Sequence, residues 1–131
     1  METKGQNLMK LEQALRHSFA NSELLYRALT HSSLKKSASD LSYQRLEFLG
    51  DRVLGLIIAE LLIERFPNSS EGKLAPRLAA LVSGRTLAEI ARTLKLGKFI
   101  RMTDGELAAG TNDRDSVLAD CFEAVIGAVY Q

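Results

Sequence analysis

The sequence predicts an all-α fold, a bundle of several helices. Apolar residues recur at helical spacing over most of the chain, and no segment of useful length shows the apolar–polar alternation of a strand. There are only two prolines, and aromatic residues make up 6% of the chain, which is typical of a helical protein. The 131 residues are enough for one domain with a substantial core, so we treat residues 1–131 as a single unit.

The first half of the chain predicts three helices. Residues 8–19, "LMKLEQALRHSF", place leucines and a phenylalanine three or four positions apart. Asn21 is a typical N-cap for a second, short helix over residues 22–33. A polar loop separates it from the third and longest helix, residues 43–66, which stops before a proline.

The second half predicts three more helices and one irregular segment. Pro76 is expected in the first turn of the fourth helix, where proline is tolerated. Gly97 is expected to end the fifth helix. The predicted elements are helices over residues 73–82 and 85–94, an irregular segment over residues 98–114, and a last helix from Asp115 or Ser116 to the end.

Composition and charge exclude several classes of protein. A single cysteine, Cys121, cannot form an internal disulfide and suits a reducing compartment. The N-terminus lacks the apolar core of a signal peptide, and the longest apolar run, residues 53–59, is too short to span a membrane. We therefore expect a soluble, cytoplasmic protein. A net charge of +1 is low for a domain that holds nucleic acid by itself.

Two pairs of acidic residues lie within apolar helices. Glu47 and Asp51 are four residues apart on the third predicted helix, and Asp120 and Glu123 are three apart on the last. Ordinary surface acids are the simpler interpretation, but both stripes continue into apolar residues or glycine. An unpartnered buried charge would cost several kcal/mol, so we expect a cation among these carboxylates.

Two glycines predict how the acidic helices meet. Gly50 and Gly127 have no side chains to hold the two helices apart, so close packing would bring the four carboxylates together. Carboxylate oxygens are hard ligands, and no histidine or cysteine lies at a suitable spacing, which favours Mg²⁺ or Mn²⁺ over Zn²⁺. From the residues alone, this pattern predicts a metal-dependent site for phosphoryl transfer.

Longer motifs around these acids resemble the ribonuclease III family of double-stranded-RNA endonucleases. "QRLEFLGDRVLGL", residues 44–56, resembles the family signature, and "DSVLADCFEAVIGAVY", residues 115–130, resembles its second acidic motif. Further segments match bacterial members in order and spacing, so the resemblance covers the chain from about Leu11. It implies the all-α endonuclease domain of that family, dimeric through the signature-motif helix. It also implies a C-terminal double-stranded-RNA-binding domain beyond residue 131 in the full-length protein.

The resemblance implies a reaction and a set of site residues. A homodimer would cut double-stranded RNA to 5′-phosphate and 3′-hydroxyl products. The reaction would use Mg²⁺, for which Mn²⁺ can substitute, and would serve rRNA and mRNA processing. Glu47, Asp120 and Glu123 match the metal ligands, while Asp51 and Glu123 match the catalytic residues. Phe48 matches a residue that enters the partner subunit.

Other residues receive weaker assignments. Gln44, where many members carry an acid, and Glu71 match positions of the substrate cleft. His31 is interpreted as structural, because no third group orients it toward nucleophilic catalysis. The fragment "GDRVLG" lacks the lysine and preceding strand of a phosphate-binding loop, so no nucleotide cofactor is expected. Five basic residues remain undecided as phosphate contacts: Lys35, Lys36, Lys73, Arg77 and Arg101.

Two other functions are weighed against the nuclease. A ribonuclease III-like domain that has lost catalysis could bind RNA or act as a scaffold, but such relatives typically lose one or more of the four acids, and all four are present here. A di-metal carboxylate oxidase would need Glu-x-x-His motifs, and the sequence has none.

Overall fold

The structure is a computed structural model that describes the backbone of residues 4–34 and 42–131 and the side chains of residues 8–34 and 42–131. Apart from one isolated bridge between Thr30 and Arg101, this part of the chain forms no strand, and short 3₁₀ turns connect its helices. The predicted all-α fold is therefore confirmed. The helices are α1 (Lys4–Leu15), α2 (Ser22–Ala28), α3 (Ser42–Arg65), α4 (Glu71–Leu81), α5 (Gly84–Thr93), α6 (Asp104–Ala108) and α7 (Asp115–Tyr130).

Side-chain caps fix the starts of three helices. The Oδ1 atom of Asn21 accepts a hydrogen bond of 3.1 Å from the backbone N–H of Glu23, as the sequence predicts. The hydroxyl oxygens of Ser83 and Thr103 accept backbone hydrogen bonds of 3.3 and 3.4 Å at the starts of α5 and α6. Helix α6 falls in the segment that was expected to be irregular, because its five residues are too few to show an apolar helical repeat.

Helices α1, α2 and α5 end earlier than the sequence predicts, and α2 stops at Ala28 where the predicted helix runs to residue 33. Arg16 adopts a left-handed conformation (φ 54°), so α1 stops before it and Phe19 lies outside the helix. Lys95 has the same conformation (φ 56°) and ends α5, so the expectation that Gly97 ends this helix is wrong. Gly97 lies instead in a 3₁₀ turn, where an added Cβ would come 2.8 Å from the carbonyl oxygen of Asn112.

Helix α4 begins two residues before the predicted start. The carbonyl of Ser70 accepts a hydrogen bond of 3.0 Å from the N–H of Leu74, which completes a helical turn starting at Glu71. The expectation that Pro76 lies in the first turn is therefore wrong. Pro76 lies in the second turn, where it cannot donate to the carbonyl of Gly72.

Helix α7 is the centre of the bundle. Helix α3 packs along it most extensively, and α5 and α2 pack on its other sides. Leu56 and Ile57 of α3 are exposed, so apolar surface of α3 remains at the surface of the single chain. Within residues 4–34 and 42–131, no helix combines the length and apolarity that crossing a membrane requires. The buried residues of α7 are Leu118, Ala119, Cys121, Ala124, Val125, Gly127 and Ala128.

Candidate metal centre

The site depends on the close approach of α3 and α7 at two glycines. A Cβ built on Gly50 would overlap the backbone carbonyl of Glu123 and lie 2.9 Å from the nitrogen of Gly127. A Cβ built on Gly127 would overlap the carbonyl of Leu46. The two backbones could not lie at this separation with any larger residue at either position. The close approach predicted from these glycines is confirmed.

This contact gathers the acidic residues of both helices. Glu47 and Asp51 lie one turn apart on α3, and Asp120 and Glu123 lie on the facing side of α7. Glu47, Asp120 and Glu123 each offer a carboxylate oxygen, and these oxygens lie within 4.8 Å of one another. Asp51 shares a hydrogen bond with Glu123. The four acids therefore form one cluster, which we call the carboxylate cluster.

Crowding within the carboxylate cluster disfavours the charged forms of its members. Burial, followed by the charges of Asp120 and Asp51, raises the pKa of Glu47 to about 7. Burial also raises the pKa of Asp120, against the opposing effects of a hydrogen bond from Glu47 and the nearby His31.

Glu123 is perturbed by its contact with Asp51. Burial, followed by the hydrogen bond and charge of Asp51, raises the pKa of Glu123 to about 8. Asp51 lies at the exposed edge of the cluster and forms an ion pair with Arg52, with Nη1 and Oδ2 3.2 Å apart. Because this pair is exposed, it contributes little to stability and does not neutralise the buried side of the cluster.

A surface pocket of about 350 Å³ opens over the carboxylate cluster. Its lining consists of Glu47, Asp51 and Glu123 together with Gln44 and Phe48. Gln44 and Phe48 were predicted on separate grounds, as a cleft residue and a dimer contact, and the fold brings both to the same opening. The cluster is therefore accessible to a ligand from solution.

The donor set fits a hard divalent cation. All candidate ligand atoms are carboxylate oxygens, which suits Mg²⁺ and Mn²⁺. The raised pKa values of Glu47 and Glu123 indicate that the cluster lacks positive charge, which a divalent cation would supply. Cys121 is next to Asp120 in the chain, but its thiol contacts the carbonyl of Ala28 at 3.5 Å, so its sulfur is not a ligand.

Comparison with known proteins identifies the family. Residues 21–131 match the family model described as Ribonuclease-III-like. The chain belongs to the ribonuclease III family. Ribonuclease 3 of Ectopseudomonas mendocina (strain ymp) is 47% identical to it over 124 residues, and that of Rhodopseudomonas palustris (strain ATCC BAA-98 / CGA009) is 52% identical over 121 residues. These alignments cover 95% and 92% of this chain but 52% and 44% of the relatives, so the chain spans about half their length.

Solved structures of ribonuclease III relatives share the fold. The nuclease domain of ribonuclease III from Campylobacter jejuni matches with a TM-score of 0.88 and 45% identity, over 95% of this chain and 85% of that one. Dicer from Pichia stipitis matches with a TM-score of 0.63 and 32% identity, over 85% of this chain and 46% of that one. The helical bundle is therefore the ribonuclease III nuclease-domain fold.

Tyr43 lies beside the carboxylate cluster, although no role was predicted for it from the sequence. Its ring packs against the hydrophobic core. Burial, followed by the charges of Cys121, Glu47, Asp120 and Glu123, raises the pKa of its phenol. Tyr43 lies four residues before Glu47, so helical spacing alone could have indicated that the two side chains share a face.

His31 and Arg101 belong to a structural turn beside the site. The backbone N–H of Ser33 donates to Nδ1 of His31 at 3.1 Å, and the hydroxyl oxygen of Ser33 lies 2.9 Å from the same atom. Arg101 donates from Nη1 to the hydroxyl oxygen of Thr30 at 2.9 Å and stacks 4.0 Å above the ring of Tyr26. The guanidinium of Arg101 is thus held by the fold.

Other residues considered for the substrate cleft or for phosphate contacts lie away from the pocket or outside the described residues. Glu71 is the first residue of α4 and does not line the pocket, so its role in the substrate cleft stays a prediction. Arg77 stacks on the ring of Phe66 at 3.8 Å, which links α4 to the end of α3. Lys35 and Lys36 fall in residues 35–41, outside the part of the chain that the structure describes.

Proposed function

We propose that this domain is a divalent-metal-dependent endonuclease that cuts double-stranded RNA to 5′-phosphate and 3′-hydroxyl products. The observation that carries the proposal is the group of three carboxylates within 4.8 Å, in a chain of the ribonuclease III family. A divalent cation bound there would lower the pKa of a water molecule and offset the charge of the phosphodiester. Mg²⁺ is the proposed ion, with Mn²⁺ as a substitute, because every ligand is a hard oxygen.

Each acid has a separate role in this proposal. Glu47, Asp120 and Glu123 hold the metal, and Asp51, at the exposed edge, orients the attacking water by accepting a hydrogen bond from it. The water oxygen would bond to phosphorus as the bond from phosphorus to the 3′-oxygen breaks. The water gives up one proton, the 3′-oxygen takes one up, and the phosphate stays on the 5′ end. Glu123 contacts both Asp51 and the ligand group, so it acts both as a ligand and as a catalytic residue.

We also propose that the domain works as a homodimer through the exposed apolar face of α3. Several large apolar side chains exposed on one helix are typical of an interaction site. The solved Campylobacter jejuni nuclease domain has a region involved in dimer formation. Each protomer would then cut one strand of the duplex. The exposed apolar side chains of α3, between 48 and 69% exposed, are Phe48, Leu56, Ile57, Leu61 and Ile63.

The proposed cellular role is the processing of rRNA and mRNA in the cytoplasm. The net charge of +1 gives the domain little general attraction for RNA. We expect a double-stranded-RNA-binding domain beyond residue 131 in the full-length protein, which is consistent with relatives about twice as long as this chain. Such a domain would hold the duplex through its phosphates and 2′-hydroxyls.

A cleavage assay with a matched variant tests the proposal. The wild-type chain is incubated with a long RNA duplex and Mg²⁺, with single-stranded RNA and a DNA duplex of the same sequence as controls. We expect short 5′-phosphorylated products from the RNA duplex alone, and none without the metal. Glu123→Gln keeps the shape of the side chain but removes its charge, and should abolish cleavage. A soluble, dimeric wild type that binds the duplex without cutting it would instead support the inactive scaffold.

A further inference from the structure

Gln44 differs in chemistry from every other residue of the pocket. Among the described residues that line the pocket, Glu47, Asp51 and Glu123 only accept hydrogen bonds when ionised, and Phe48 is apolar. The carboxamide of Gln44 carries two N–H donors beside its carbonyl oxygen. When a bound cation keeps the carboxyls ionised, Gln44 is therefore the one hydrogen-bond donor that this lining offers to an anion.

Gln44 is also placed to reach a ligand at the carboxylate cluster. The residues at 44, 47, 48 and 51 follow the spacing of one helix face, so the Gln44 side chain lies one turn from Glu47. Its side chain is exposed, and within residues 8–34 and 42–131 it has no hydrogen-bond partner. The amide can therefore contact a ligand without giving up an existing contact.

We propose that the carboxamide of Gln44 donates a hydrogen bond to a non-bridging oxygen of a phosphodiester bound at the carboxylate cluster. This makes Gln44 a substrate-positioning residue and not a metal ligand, and the inference rests on the proposed function. A phosphodiester is an anion, and the pocket's other polar side chains are all acidic. A glutamate at position 44, the kind of residue that many family members carry there, has no donor when ionised and could not make this hydrogen bond.

The test compares Gln44→Leu and Gln44→Glu with the wild type. Gln44→Leu removes the donor at similar size, and Gln44→Glu replaces it with an acceptor of the same shape. Gln13→Leu, at an exposed position of α1, controls for the chemical change itself. The measurements are KM and kcat for a short RNA duplex in Mg²⁺, and the affinity of the RNA-free chain for Mn²⁺ by calorimetry.

Gln44→Leu is expected to raise KM about tenfold, the loss of one hydrogen bond to a charged group, with kcat and Mn²⁺ affinity little changed. Gln44→Glu also lacks the donor and is expected to raise KM by a similar factor, while its added carboxylate should tighten Mn²⁺ binding. Gln13→Leu should match the wild type in all three quantities.

Two results would overturn the inference while leaving the nuclease intact. One is a Gln44→Leu chain whose KM equals that of the wild type. The other is a Gln44→Leu chain that loses Mn²⁺ affinity in proportion to activity, because Gln44 would then be a metal ligand. A wild-type chain that does not cut the duplex refutes the proposed function itself, and the inference fails with it.

Discussion

Replacing Gly50 with alanine tests whether the close contact of α3 and α7 builds the site. The added Cβ would lie 2.6 Å from the carbonyl carbon of Glu123 and 2.9 Å from the nitrogen of Gly127, whereas ordinary van der Waals contact begins at 3.4 Å. Both neighbours are helix backbone, which cannot rotate away as a side chain could. The two helices must therefore move apart in an interior that is otherwise close-packed.

The expected loss of stability follows from two opposing effects. Overpacking of a core costs about 1–3 kcal/mol, and the upper end applies because backbone meets backbone. Alanine recovers roughly 0.5–1 kcal/mol over glycine inside a helix, which leaves a net loss near 2 kcal/mol. A Cβ added at Gly55, on the same helix, would have no neighbour within 4 Å. The Gly55→Ala protein should therefore be more stable than the wild type by that same roughly 0.5–1 kcal/mol. The two alanine variants should therefore differ by about 3 kcal/mol.

Urea unfolding followed by circular dichroism measures this difference, at one protein concentration and pH. Gly84→Ala, at the start of α5, also meets nothing within 4 Å and serves as a control away from the apolar face of α3. Gly50→Ala should also bind Mn²⁺ more weakly, because the shift moves Glu47 away from the ligands on α7.

Equal unfolding free energies for Gly50→Ala and Gly55→Ala would refute the reasoning. The contact between the helices would then be loose enough to accept a methyl group. A destabilised Gly50→Ala that binds Mn²⁺ as the wild type does would show that the helix separation does not set the geometry of the carboxylate cluster.

Three further predictions concern the carboxylate cluster and the apolar face of α3. In the absence of metal, the folded pKa values of Glu47 and Glu123 (about 7 and 8) lie above the ordinary 4.5, so stability present below pH 4.5 is lost as the pH rises through 7 to 8. Allowing for solvent screening of these half-exposed groups, the loss of unfolding free energy is about 1 kcal/mol per group. Glu47→Gln should therefore make the unfolding free energy depend less on pH, and an unchanged dependence would contradict this prediction. Millimolar Mn²⁺ should raise the melting temperature of the wild type but not of Asp120→Asn, and equal shifts would contradict a site at the cluster. Phe48→Asp should yield monomers in sedimentation velocity while the helical circular dichroism is retained; a persistent dimer would exclude Phe48 from the interface.

Much of the helical architecture could be predicted from local signals. The predicted third helix, residues 43–66, agrees with the observed Ser42–Arg65 within one residue at each end, because its apolar run and the following proline are properties of neighbouring residues. Asn21 was identified as a cap for the same reason. Pro76 and Gly97 were misassigned, because their places depend on where a helix starts and on contact with a distant carbonyl.

For the candidate site too, some features follow from local sequence and others from tertiary packing. The sequence by itself determined which acids share a helix face and that Gly50 and Gly127 allow two helices to touch, since 100° per residue is a property of any α-helix. Only the tertiary structure decided that the oxygens of three acids fall within 4.8 Å and that Asp51 lies at the edge beside Arg52. Distances between helices depend on the packing of all the residues between them, and helical periodicity contains no information about that packing.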